Sequence, residues 1–131
     1  MTDTEFKEEL KNYISDLLVS EKEVLRTEFY IELQPGLITY GGQFIKTDEE
    51  VPLDIRQIDK STRSYFTDKI EQFHIKSTNG GLNKWNKANY VIDRNGKIDG
   101  ELFWDEKWER ENIDSYKNQT DSRQKWYWEE K

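Results

Sequence analysis

The sequence predicts an α+β fold in the order α-β-β-α-β-β, with a four-stranded antiparallel sheet packed by helices and a short helical C-terminal extension. Three observations carry this. Phe6, Leu10, Tyr13, Ile14, Leu17 and Leu18 recur at helical intervals on one face. Residues 29–45 and 85–104 each read as a hairpin, with β-type runs on both sides of a Pro-Gly or Asn-Gly turn. Between them a second helical stretch starts near Ser61 and stops at Asn79-Gly80-Gly81.

The first helix has a start signal: Thr2 and Glu5 stand at capping-box spacing, so each side chain can satisfy the other residue's free N–H. Lys7, Glu8, Glu9, Lys11, Asn12 and Asp16 form its solvated face, and Ser20 to Glu23 make the connection onward. Phe29, Ile31 and Leu33 alternate with Tyr30, Glu32 and Gln34, the period of a strand with one buried face. Pro35-Gly36 suits a type II turn into a second strand, Leu37 to Ile45. Within that strand Gly41-Gly42 indicates a bulge or a close backbone approach, a structural role in preference to a contact surface. Thr47 to Glu50 with Val51-Pro52 is expected to be a charged loop, and Tyr65, Phe66, Ile70 and Phe73 to form the apolar face of the second helix.

Two registers compete for the second hairpin. A two-residue Asn95-Gly96 turn would leave Ile92 and Tyr90 beside Asp99 and Glu101, an arrangement no half-buried sheet favours. A type I turn from Asp93 with Gly96 left-handed, closing a G1 bulge, instead faces Ile92 with Ile98, Tyr90 with Gly100 and Ala88 with Leu102. Trp104 continues that apolar side, while Lys87, Asn89, Asp99, Glu101 and Asp105 take the other. The bulged register is therefore expected. Beyond it an Asp cap, an acidic first turn and later Lys and Arg predict a short helix. Residues 1–117 are read as one domain and 118–131 as an extension, in which Thr120 caps a last helical segment carrying Trp126 and Trp128 or the two indoles form a docking strip.

At 131 residues the chain is long enough for a single hydrophobic core. Thirty Leu, Ile, Val and Phe residues, with five Trp and seven Tyr, exclude a disordered chain and predict a small aromatic core. Twenty basic against 27 acidic residues leave a net charge of -7, which disfavours binding to nucleic acid by phosphate neutralisation and favours a basic partner. Cysteine is absent, so there is no disulfide framework and no thiol chemistry. The first residues lack a basic and an apolar signal region, and no apolar run approaches membrane-spanning length. A cytoplasmic protein with no membrane partner is the expectation.

Catalytic and metal patterns fail on spacing. His74 is the only histidine, and it reads as a helix-surface or satisfied core residue with no second imidazole for a metal or proton relay. Asp93 to Lys97 begins like a calcium loop, but the fifth, sixth and twelfth positions hold Lys97, Ile98 and Trp104 where an oxygen ligand, Gly and Glu are needed. No phosphate loop or zinc spacing occurs, so neither cofactor nor metal is expected. Carboxylate pairs such as Asp99 with Glu101 keep a small acid-base enzyme as the alternative function, beside a generic acidic interaction module.

Charge accumulates in one place: from Asp93 to Asp114 there are eight acids and four bases, a local net of -4. Acids interleaved with aromatics suit the binding of a basic protein, the aromatics as anchors and the charge as a steering field. The candidate surface is therefore Asp99, Glu101, Phe103, Asp105, Trp108 and Glu109. Trp104 is expected in the core; for Phe103 and Trp108 both core and surface readings stay open.

Lys84-Trp85-Asn86-Lys87, Asn95-Gly96-Lys97 and Phe103-Trp104-Asp105, taken with the element order, resemble the YezG-like immunity (antitoxin) family over roughly residues 5 to 106. In that family a helix and a hairpin precede a second helix, and a Trp opens a final hairpin with an acidic-aromatic end. The resemblance implies a small cytoplasmic protein that binds and neutralises a cognate toxin, often a nuclease domain, and it marks no individual binding residue.

Overall fold

The computed structural model describes residues 1–19, 21–116 and 125–129, which form an α+β fold of three α-helices and one five-stranded antiparallel sheet. The first helix, α1 (Asp3–Val19), opens with the expected reciprocal cap: Glu5 N–H donates to Thr2 Oγ1 at 3.1 Å and Thr2 N–H to Glu5 Oε1 at 3.4 Å. Strands β1 (Arg26–Gln34) and β2 (Leu37–Ile45) meet at Pro35-Gly36, where a φ of 75° at Gly36 meets the demand of a type II turn. Their register is continuous, so Gly41-Gly42 is no bulge. A Cβ on Gly42 would sit 2.2 Å from the Glu28 carbonyl oxygen, which makes close backbone approach the reason for glycine there.

The sheet has one strand more than the four expected, because Glu50–Pro52 pairs with β2 as β3 instead of remaining a loop. It is three residues long and lies at the sheet edge, where the missing N–H of Pro52 breaks no interior ladder. A 3-10 turn, Ile55–Gln57, leads into α2 (Lys60–Thr78), whose cap Asp59 accepts the Thr62 N–H at 2.8 Å. Left-handed Asn79, Gly80 and Gly81 end that helix. Strands β4 (Lys87–Asp93) and β5 (Ile98–Phe103) precede α3 (Glu106–Tyr116).

The spatial order is β3-β2-β1-β4-β5, so the first strand of each hairpin is interior and the two hairpins join through β1 and β4. The second hairpin adopts the bulged register, pairing Ile92 with Ile98, Tyr90 with Gly100 and Ala88 with Leu102. Asp93 N–H reaches the Lys97 carbonyl at 2.9 Å and Gly96, at φ 87°, donates to the Asp93 carbonyl at 3.0 Å. Tyr90 and Ile92 are buried, as expected from that register. The β5 side is less so: Ile98 is half-buried and Leu102 is 36% exposed, because β5 is an edge strand flanked on one side only, and Trp104 just beyond it is half-buried where a core position was expected.

Helices α1 and α2 cover one sheet face with an aromatic core. Phe6 stacks on Phe73 at 4.5 Å between ring centroids and Tyr13 on Phe66 at 4.1 Å, over Phe29, Ile31, Leu33 and Tyr90 from the sheet. Tyr65 departs from the expected apolar face: it is half-exposed, and its hydroxyl donates to Glu9 Oε1 at 3.1 Å. His74 is a buried, satisfied histidine. Its Nε2 lies 2.7 Å from the carbonyl oxygen of Trp85, which can only accept, so Nε2 carries the proton.

The C-terminal residues 125–129 form a turn where a helix was expected, and they dock as an indole strip. Trp126 is buried in the core cluster and stacks on Trp128 at 4.9 Å; Tyr127 places its hydroxyl 3.1 Å from His74 Nδ1. Trp128 rests on Gly81, where a Cβ would approach within 3.2 Å. The Thr120 cap lies outside the described residues. Among the described residues no helix is long and apolar enough to cross a membrane.

Candidate partner-binding surface

Strand alternation sends one set of side chains into the helix layer and leaves the other on a sheet face that α1 and α2 do not cover. The register arranges this second set in rows across the sheet. Glu28, Val91 and Asp99 form one row, Tyr30, Asn89 and Glu101 the next, and Glu32, Lys87 and Phe103 the third. Tyr30 is 40% and Val91 38% exposed, unusual for large side chains in the interior strands β1 and β4. Shallow depressions lie on either side of Tyr30, one bordered by Glu28, Gln43 and Val91, the other by Glu32, Lys87 and Phe103. Tyr30 lies flat over Gly41, where a Cβ would come within 2.7 Å of its hydroxyl.

The carboxylates of this face fall into two classes. Glu28 accepts from Gln43 Nε2 at 2.9 Å and pairs with Arg26 Nε at 3.4 Å. Glu32 and Asp105 share the Lys87 ammonium at 3.4 and 3.0 Å. Partial desolvation opposes protonation of Lys87, but those two carboxylates prevail and raise its pKa above the ordinary lysine value. Asp99 and Glu101 are exposed, and among the described residues neither has an ion-pair or hydrogen-bond partner. They are the free negative charge of the face.

No family model matches the chain, and no curated protein does. The surface is therefore read from its own chemistry.

The structure divides the six expected surface residues. Asp99, Glu101 and Phe103 lie together on the open face, Phe103 half-buried. Asp105 is the N-cap of α3: its carboxylate accepts the Trp108 N–H at 3.0 Å, and this bond, with the Lys87 ion pair, holds its pKa below the ordinary range. Asn86, fully buried, clamps the Asp105 backbone from both sides, accepting its N–H at 2.7 Å and donating to its carbonyl at 3.0 Å. Trp108 is half-buried, with its indole N–H on the Leu33 carbonyl at 2.9 Å and Lys87 Nζ 4.9 Å from its ring centroid, so it rims the lower end of the face.

Glu109 is corrected outright as a solvent-facing residue. It is 5% exposed and accepts the Trp126 indole N–H at 3.1 Å, turned inward by the docked C-terminal strip. The alternation of β1 pointed Tyr30 and Glu32 outward, but nothing in the linear sequence placed β1 beside β4. The face they share with Asp99 and Glu101 exists only through that pairing.

An acid-base site needs its carboxylates in a cleft, whereas Asp99 and Glu101 stand on an open edge strand. Among the described residues no group of three or more His, Asp or Glu side chains is placed to hold a metal ion. What the arrangement offers is a flat acidic surface with aromatic footholds.

Proposed function

We propose that this protein is an immunity, or antitoxin, protein that binds a cognate bacterial toxin through the open sheet face and neutralises it without chemistry of its own. The observation that carries the reading is the placement of two unpaired carboxylates, Asp99 and Glu101, beside the exposed Tyr30, Val91 and Phe103. A nuclease toxin must hold phosphate and so presents a basic surface, to which this face is complementary. The motif resemblance to YezG-like immunity proteins supports the same reading, and so do the net charge of -7 and the aromatic content.

The test mixes the purified protein with the toxin domain encoded beside its gene and measures inhibition and binding kinetics. Stoichiometric inhibition is expected. Asp99→Lys with Glu101→Lys should slow association and reduce its dependence on salt, because exposed charges act mainly on encounter. Tyr30→Ala or Phe103→Ala should instead speed dissociation, with an affinity loss on the order of thirtyfold for a true anchor. Unchanged kinetics in all of these variants would remove the binding face. A hydrolase turnover abolished by Asp99→Asn would replace the whole reading with the enzyme.

A further inference from the structure

The two edges of the sheet differ. The β3 edge is three residues long and carries Pro52, which blunts it, whereas the β5 edge runs six residues without proline. The hairpin closure shows which backbone groups β5 leaves unpaired. Asp93 and Lys97 are a hydrogen-bonded pair, so in the antiparallel ladder Val91 with Asp99, Asn89 with Glu101 and Lys87 with Phe103 are hydrogen-bonded pairs too. The N–H and C=O groups of Ile98, Gly100 and Leu102 then point away from β4. Among the described residues none of these groups has a partner. Helix α3 does not cover them, since Trp108 directs it to the Leu33 end of the sheet.

We infer that the β5 edge is a strand-addition site for an extended segment of a partner protein in which basic and apolar residues alternate. The inference rests on the reading of the chain as a binder of a basic protein, and adds the element by which that partner is held. Backbone pairing at Ile98, Gly100 and Leu102 supplies the attachment, and the two sides of β5 supply the selectivity. On the open face an added strand meets the unpaired Asp99 and Glu101 carboxylates; on the helix side it meets the half-buried Ile98, the exposed Leu102 and Trp104 beyond them. Alternation along the added strand answers both at once. The same charges oppose a second copy of this chain in the register that pairs Ile98 to Leu102 throughout. Two β5 edges paired about Gly100 would set Asp99 directly opposite Glu101 twice over, a like-charge contact on each side.

The experiment titrates the full chain with a short blocked peptide of alternating Val and Lys, followed by amide NMR and hydrogen exchange. Saturable binding is expected, with new exchange protection at the Ile98, Gly100 and Leu102 amides and little change at Asp99, Glu101 and Phe103, whose amides already pair with β4. The same peptide N-methylated at every second residue should bind at least about tenfold more weakly, since it keeps the charge and loses the outward pairing. Asp99→Lys with Glu101→Lys should reverse the preference toward a peptide of alternating Val and Glu.

Equal binding of the methylated peptide, with shifts at Tyr30, Asn89 and Val91 and no new protection on β5, overturns strand addition while leaving the acidic face as the partner site. Protection of β5 that grows with protein concentration in the absence of peptide overturns it in favour of self-pairing. Absence of any peptide binding overturns it as well, and toxin inhibition that persists in the same preparation shows that the binding reading has not failed with it.

Discussion

Histidine 74 should make the stability of this protein depend on pH within a defined window. Burial lowers its pKa from 6.5 to about 4, against the small opposing effect of the Trp85 carbonyl. The folded protein therefore keeps the imidazole neutral down to about pH 4, while the unfolded chain protonates near its ordinary value. Between those limits the unfolded state binds the extra proton, so stability is full above about pH 6.5 and falls as the pH drops toward 4. At about 1.4 kcal/mol per pH unit the largest loss is about 3 kcal/mol. Urea denaturation at a series of pH values measures it directly, with His74→Gln as the control that cannot titrate. The geometry adds a second readout: the His74 ring lies 5.5 Å from the Trp126 ring and 5.7 Å from the Trp128 ring between centroids, so charging the imidazole should alter Trp126 and Trp128 fluorescence. A flat wild-type profile across this window, or the same slope in the Gln variant, would refute the reasoning.

Trp126→Ala should cost about 3 to 5 kcal/mol of unfolding free energy, the range for emptying a buried aromatic site, measured by urea denaturation. Asn86→Ala should cost about 2 kcal/mol by leaving the Asp105 N–H and C=O without their partner, and hydrogen exchange at the start of α3 should rise with it. Tyr90→Phe should leave stability unchanged or raise it by up to about 1 kcal/mol, because the buried Tyr90 hydroxyl has no partner among the described residues; a clear loss in thermal melts would show that it has one.

Much of the fold was readable because local chemistry had only one good solution. The Thr2 and Glu5 cap, the Pro35-Gly36 turn and the Asp93 to Gly96 bulge each depend on residues within a few positions of one another. The second hairpin's register followed from excluding the arrangement that mixed Tyr90 and Ile92 with Asp99 and Glu101. What escaped depends on distant partners. Strand β3 carries two features of a loop, an acidic residue and a proline, and is a strand only because the β2 edge receives it. Tyr65 fits the helical period but sits at the margin of α2, where its hydroxyl meets Glu9 of α1 across 56 residues of chain. The partial burial of Leu102 needed the knowledge that β5 is an edge, which no pattern within β5 expresses.

The candidate surface shows the same division more sharply. Acids beside aromatics from Asp99 to Glu109 form one signal in the sequence, yet the structure resolves it into two jobs. Asp105, Trp108 and Glu109 are spent on a helix cap, an indole bond to the Leu33 carbonyl and an indole bond from Trp126. Trp108 and Glu109 join α3 to β1 and to the C-terminal turn, and Asp105 adds an ion pair to Lys87 of β4, so truncating any of them would act on the fold first. Asp99 and Glu101 are spent on nothing internal. Exposed charges without partners contribute little to stability and are usually free to change, so a pair of them on an edge strand has two physical uses, repelling another copy and attracting a basic strand. Both uses require the carboxylates on one side of β5 with apolar residues on the other, and it is the G1 bulge at Gly96 that places them so. A shift of one residue in that turn would carry Ile98 and Leu102 onto the open face and bury the acids beneath the helices. The turn thus sets the chemistry of the edge as well as the register of the core.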